Sequence, residues 1–312
     1  MNLIELKNEF YKKKINKANY IKKIYNRYND LLFQYSDLIS KTDVQKIEIT
    51  SSSIKMTSKK FGVNMIVPKE DHRSASLECI NFNSCEEKEL EVIMQLLPKR
   101  GNFIDIGANI GWHSLVIAKK LKKIKVHAFE PIKKTYKFLT QNIKLNSINN
   151  IKSYNFGFYN ENKRISFYTY KEGSVNSSIK NLSKRSTVML QKSYVKIFDH
   201  FVSRNKLKVD FIKCDVEGAE LFVFLGAKKV LLKDKPIVFC EISIKKLAKL
   251  ISNLFLDRNI KIKFEKPSAK KNYLKSPVVK VSPSIDKIKK LGWFPKTSLE
   301  EGFSKTINSF IL

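Results

Sequence analysis

Asp105, Gly107, Asn109, Gly111, Glu130, Asp215 and Glu217 are the residues of this 312-residue chain whose types and spacing suggest chemistry. Asp105 interrupts a short apolar run, Phe103-Ile-Asp-Ile106, and the turn Gly107-Ala-Asn-Ile-Gly111 follows it directly. Glycines let a backbone pass close to a ligand, and a helix starting behind them offers unpaired N–H groups. The spacing is not that of a dinucleotide fingerprint, and an acid stands where a pyrophosphate would lie. An acid at such a turn suits a cationic or hydroxylated ligand, and S-adenosylmethionine, with its ammonium and sulfonium, fits that description. Glu130 ends the next apolar run, Ile124-Lys-Val-His-Ala-Phe129, where a carboxylate would hold the hydroxyls of a ribose. That position names a ribose and not a cofactor; the competing reading is an exposed acid that opens a helix at Pro131. In Val209-Asp-Phe-Ile-Lys-Cys-Asp-Val-Glu-Gly-Ala-Glu220 the apolar pattern gives way to Asp215, Glu217 and Glu220, with Lys213 on the same strand face as Asp215. Strand carboxyl ends line the ligand crevice of an open α/β sheet, which puts Asp215 beside a reacting group. Glu217 and Glu220 also suit a helix start, and for Glu220 both readings stand open. His113 is a reserve base. No His, Cys, Asp or Glu set has metal-binding spacing, so the expectation is no metal, although strand-end carboxylates can gather around a divalent ion in space.

These residues need an apolar strand, a glycine turn and a helix with Leu115, Val116, Ile117 and Leu121 at helical spacing, repeated along the chain. That is an α/β fold with a doubly wound, Rossmann-like sheet. Residues 1–83 read as an N-terminal extension. A basic helical part comes first, with a stripe through Ile21, Ile24, Tyr28, Leu31, Tyr35 and Leu38, followed by two or three short antiparallel strands between Ile47 and Pro68. The stripe predicts packing on the main domain; its alternative is peripheral contact with a membrane surface, since lysines crowd the other face. Ser84-Cys-Glu-Glu87 reads as a capping box opening a helix that Pro98 stops. Ile151–Phe158 reads as a third strand, and Gly173-Ser-Val-Asn-Ser-Ser178 as part of a polar loop between two further strands.

Composition narrows the classes. The formal charge is +31, yet only seven of the 60 basic residues are Arg. Nucleic-acid readers lean on Arg for bidentate contacts, so nucleic-acid binding is not expected; lysine spread through every segment, with many Asn and Ile, looks like coding bias. An anionic substrate remains compatible with such a charge. There is no run of about 18 apolar residues and no signal peptide at the N-terminus, and the four Cys lack paired spacing. A reduced, cytoplasmic protein is the expectation.

Phe103-Ile-Asp-Ile-Gly-Ala-Asn-Ile-Gly111, Ala128-Phe-Glu-Pro131 and Ile212-Lys-Cys-Asp-Val-Glu-Gly-Ala-Glu220 resemble, in order, the three signature stretches of the FkbM family of S-adenosylmethionine-dependent methyltransferases. The resemblance covers about residues 85–242, within a domain spanning 84–242. It implies a class I methyltransferase sheet and O-methylation of a hydroxyl on a sugar, nucleotide sugar or surface glycan. By position, Asp105, Gly107, Asn109 and Gly111 would cradle the methionine part and Glu130 the ribose. Asp215 and Glu217 would border the acceptor as candidate bases, with Lys213 and Glu241 close by. After Glu241 the chain departs from that pattern. Residues 243–312, above all Lys290-Leu-Gly-Trp-Phe-Pro-Lys-Thr-Ser-Leu-Glu-Glu-Gly-Phe303, resemble the C-terminal segment of extended short-chain dehydrogenases that epimerise or dehydrate nucleotide sugars. The alternative is therefore a non-catalytic fusion that binds cofactor or nucleotide sugar.

Overall fold

The chain opens with helices. The computed structural model, which describes residues 1–170, 173–178 and 188–240, begins with α1 (Leu3–Tyr11). A capping box closes its start: the Glu5 N–H donates to Asn2 Oδ1, and the Asn2 N–H donates back to the Glu5 carboxylate. α2 (Lys17–Ile24) and α3 (Asp30–Ser40) follow, joined by a π-helical turn over Tyr25–Asn29. Among the described residues, the predicted packing of their apolar stripe is found only at its end, where the half-buried Ile39 packs against the core. Leu6 is buried in α1, α2 and α3 bury nothing, and Ile21, Tyr25, Leu32 and Tyr35 are exposed. Helical periodicity specifies a face but not what covers it. Among the described residues no helix is long and apolar enough to cross a membrane.

β1 (Val44–Ile49), β2 (Ile54–Ser58) and β3 (Asn64–Val67) form the expected antiparallel cap. α4 (Ala75–Phe82) and α5 (Glu87–Leu96) lead to the main sheet. The capping box expected at Ser84–Glu87 gives way to a different start: Glu86 takes the cap position with φ of 45°, and Glu87 pairs with Lys60. The Glu87 side chain keeps a hydrogen bond with Ser84 beside this ion pair.

The main sheet is laid down in two passes. The first comprises β4 (Gly101–Ile106), α6 (Trp112–Lys120), β5 (Ile124–Phe129), α7 (Lys133–Leu145) and β6 (Ile151–Tyr154). An excursion follows through β7 (Gly157–Tyr159), β8 (Lys163–Tyr170), β9 (Gly173–Ser178) and β10 (Val188–Ile197). The chain returns through α8 (Phe198–Arg204), β11 (Phe211–Cys214), α9 (Glu220–Leu225), α10 (Lys228–Asp234) and β12 (Ile237–Cys240). The five-stranded sheet has the order β12-β11-β4-β5-β6, every pair parallel. The chain winds outward from β4 to β6, crosses back, and winds the other way through β11 and β12. The reversal falls between β4 and β11, and open α/β sheets bind ligands outside the carboxyl ends of the strands at that point. Phe103, Ile104, Phe211 and Ile212 are buried to 1% exposure or less, as parallel strands covered on both faces require.

The excursion differs from the sequence reading in two places. Ile151–Phe158 is not one strand: β6 stays in the main sheet, while β7 joins a second sheet of order β7-β10-β8-β9. The polar stretch Gly173–Ser178 is a strand, paired antiparallel with β8 through Tyr168↔Ser178 and Tyr170↔Gly173. Backbone pairing there overrides a composition that reads as loop. Glu241 and the dehydrogenase-like tail lie outside the described residues.

Phe129 anchors the junction of the two passes. Its ring lies 4.7 Å from that of Tyr154, 4.6 Å from Phe158 and 5.1 Å from Phe201. Truncation of a fully buried Phe costs about 3–5 kcal/mol. Phe129→Ala should lower stability by that amount in urea unfolding; a loss below about 1 kcal/mol would mean that the aromatic cluster supports little.

Candidate functional site

Two turns meet at the reversal point. At the end of β4, Gly107 has a φ of 85°, and a Cβ there would lie 1.9 Å from the Asp215 carbonyl oxygen. The Gly107 and Ala108 N–H groups both donate to the Phe129 carbonyl at 3.0 Å, and the Asp215 N–H donates to the Ile106 carbonyl at 3.0 Å. The glycine turn is thus held between the tips of β5 and β11. Asn109 adopts φ of 51° and Gly111 φ of 97° before α6 begins.

Glu130, at the tip of β5, faces this turn. Its Oε2 accepts the Asn109 N–H at 3.0 Å and its Oε1 accepts the Ile132 N–H at 2.8 Å. The side chain is buried, so the exposed-acid alternative for Glu130 fails. Burial raises its pKa to about 7, against the pull of those two amides. The carboxylate clasps the turn with one lone pair on each oxygen, which leaves others for ligand hydroxyls.

Across the sheet, register places Lys213 of β11 opposite Asp105 of β4. Lys213 Nζ donates to Asp215 Oδ2 at 3.2 Å and lies 4.0 Å from Asp105 Oδ1. The Ser114 hydroxyl donates to Asp105 Oδ2 at 2.6 Å. Burial works against the Lys213 charge, but Asp215, Asp105 and Glu86 outweigh it and hold its pKa above the usual lysine range. Burial pushes Asp105 upward, opposed by Lys213 and Ser114. Asp105 Oδ1 is buried without a hydrogen-bond partner.

Beyond Asp215, Glu217 sits in the turn after β11 with φ of 49°, and Glu220 accepts the Gly218 N–H at 2.8 Å. That bond stabilises the turn before α9. On the other side, the start of α5 brings in two acids that no local pattern singles out. His113 Nδ1 lies 3.4 Å from Glu86 Oε2, and Glu89 feels both Lys213 and Asp215. Burial, then the Lys213 charge, lowers the His113 pKa well below its ordinary value. Ser114 was also missed. Its position one turn into α6, over the acid of β4, was the available signal; for Glu86 and Glu89, nothing in local spacing pointed across the fold.

A separate cleft of about 710 Å³ lies at the amino ends of the strands, away from the glycine turn, lined by Arg100, Lys122, Lys125, Lys152, Lys206 and Lys208. Burial and then Lys152 and Lys125 push the neighbouring His127 down to about 4.

The residues at the reversal point fit a donor that carries an ammonium and a sulfonium. Asp105 presents an unsatisfied buried oxygen, the turn at Gly107 has no space for a side chain, and several carboxylates surround one lysine.

Residues 105–257, just under half of the chain, match the family model described as the methyltransferase FkbM domain. The match starts later than the resemblance drawn from sequence and runs past Glu241, where the sequence reading placed the departure. Methyltransferase 1 of Beauveria bassiana (strain ARSEF 2860) is 24% identical over 147 residues, which is 41% of this chain and 59% of that protein. The chain thus covers less than two thirds of that relative. Among solved structures, a SAM-dependent methyltransferase from Agrobacterium tumefaciens aligns with 65% of this chain and 58% of its own at 12% identity and a TM-score of 0.39. The precorrin-6y C5,15-methyltransferase of Geobacter metallireducens aligns with 57% of this chain and 74% of its own at 12% identity and a TM-score of 0.33. S-adenosylmethionine is the cofactor of such a domain.

Glu130 makes a pH prediction. Its folded pKa of about 7 lies above the ordinary 4.5, so the folded state keeps this proton to higher pH than the unfolded state. The resulting stability is complete below about pH 4.5 and is lost as pH rises to about 7, a change of roughly 2–3 kcal/mol. In urea titrations at pH 5 and 7.5, the wild type should lose that much relative to Glu130→Gln. Parallel pH profiles for the two proteins would contradict the assignment.

Proposed function

We propose that this chain transfers the methyl group of S-adenosylmethionine to a hydroxyl of a sugar, nucleotide sugar or surface glycan. The observation that carries the reading is the line Asp105–Lys213–Asp215 across the tips of β4 and β11, with Lys213 Nζ 3.2 Å from Asp215 Oδ2 and 4.0 Å from Asp105 Oδ1. It places a half-open carboxylate beside a buried one at the point where the sheet reverses.

A methyl on a sulfonium is already activated, so the protein aligns the acceptor and removes its proton. In this reading Asp105, Gly107, Asn109 and Gly111 hold the amino-acid part of the donor, with Asp105 Oδ1 accepting from its ammonium. Glu130 takes ribose hydroxyls on the lone pairs that Asn109 and Ile132 leave. Asp215 or Glu217 accepts the acceptor's hydroxyl proton. Lys213 fixes the Asp215 carboxylate by its hydrogen bond and offsets the acids around it. The sugar class is supported by the family resemblance and by the carboxylates themselves, since paired acceptor oxygens suit vicinal hydroxyls.

Labelled methyl transfer to a panel of nucleotide sugars and glycan fragments tests this. Loss of a general base costs about 10²–10⁴-fold in rate. One of Asp215→Asn and Glu217→Gln should show that loss while keeping donor affinity. Absence of transfer to every acceptor, with no donor binding, would count against the reading.

A further inference from the structure

We propose that Glu86, Glu89 and His113 form a divalent-cation site beside the Lys213–Asp215 pair, and that its ion gathers the oxygens of the acceptor. One ligand atom from each of the three residues lies within 4.8 Å of the other two. They come from two elements, the start of α5 and the first turn of α6. His113 is 5% exposed, and its Nε2 has no hydrogen-bond partner. Its Nδ1 lies 3.4 Å from Glu86 Oε2 and is the nitrogen placed to ligate an ion there.

The surroundings favour a cation. In a chain of formal charge +31, Glu86, Glu89, Asp105 and Asp215 gather around Lys213. The donor's sulfonium and ammonium, against its own carboxylate, supply one net positive charge, so acid remains in excess. Glu86 and Glu89 are exposed while His113 is buried, so the site is closed at its base and open to solvent above. Three protein ligands with open positions can also accept oxygens from a substrate. One imidazole and two carboxylates suit Mn²⁺ or Zn²⁺ better than an all-oxygen ion such as Ca²⁺. The ion site stands on its own residues; its use in orienting acceptor hydroxyls rests on the methyl-transfer reading.

Calorimetric titration of the EDTA-stripped full chain with MnCl2 and with ZnCl2 tests the site, with the donor-induced melting shift measured in parallel. Wild type should take one ion. Glu86→Gln and Glu89→Gln, both at exposed positions, should each weaken it at least about tenfold, while Glu48→Gln in the N-terminal cap leaves it unchanged. No ion in the wild type, or affinity in both site variants equal to that of the wild type, overturns the site even where the donor shift is intact. Ion binding that the variants weaken, together with no donor shift, supports the site and overturns its use in methyl transfer.

Discussion

A lysine ammonium buried among carboxylates is the interaction on which the rest of the site depends. Lys213 is 4% exposed, and taking one such charge out of water costs several kcal/mol unless partners replace the water. Asp105 and Asp215 are those partners, and they lie on neighbouring strand tips only because β11 runs parallel to β4 with Lys213 opposite Asp105. The pairing also works in reverse. Without the ammonium, a fully buried Asp105 would keep Ser114 and lose its nearest positive charge. Charge and register therefore specify each other at the reversal point of the sheet.

The glycine turn makes that arrangement usable. With the Asp215 carbonyl where a Gly107 Cβ would be, the turn packs directly against the end of β11. The backbone of 107–109 is pinned by the Phe129 carbonyl and by Glu130. A carboxyl that ionises near neutrality thus fastens a loop that the ligand is to meet. Position, burial and charge state are coupled in one residue.

The sheet, the glycine turn and the strand-end acids were legible in the sequence because each is written locally: apolar runs of strand length, glycines at positive φ, and acids that end those runs. What was not legible depends on partners far along the chain. Glu86 rather than Ser84 takes the cap of α5, Gly173–Ser178 becomes a strand by pairing with β8, and among the described residues the stripe of α2 and α3 meets the core only through Ile39. Glu86 and Glu89 join the site for the same reason, since only the packing of α5 beside α6 brings them to His113.

The central claim is that Asp105, held by Lys213 and Ser114, receives the positive end of S-adenosylmethionine. Titration calorimetry of that donor into wild type and Asp105→Asn tests it most directly, because the amide keeps the shape and removes the charge. The account predicts saturable binding to the wild type and at least about tenfold weaker binding to the variant, the loss expected for one charge-assisted bond. Equal affinity in the two proteins, or no binding to the wild type, would contradict it.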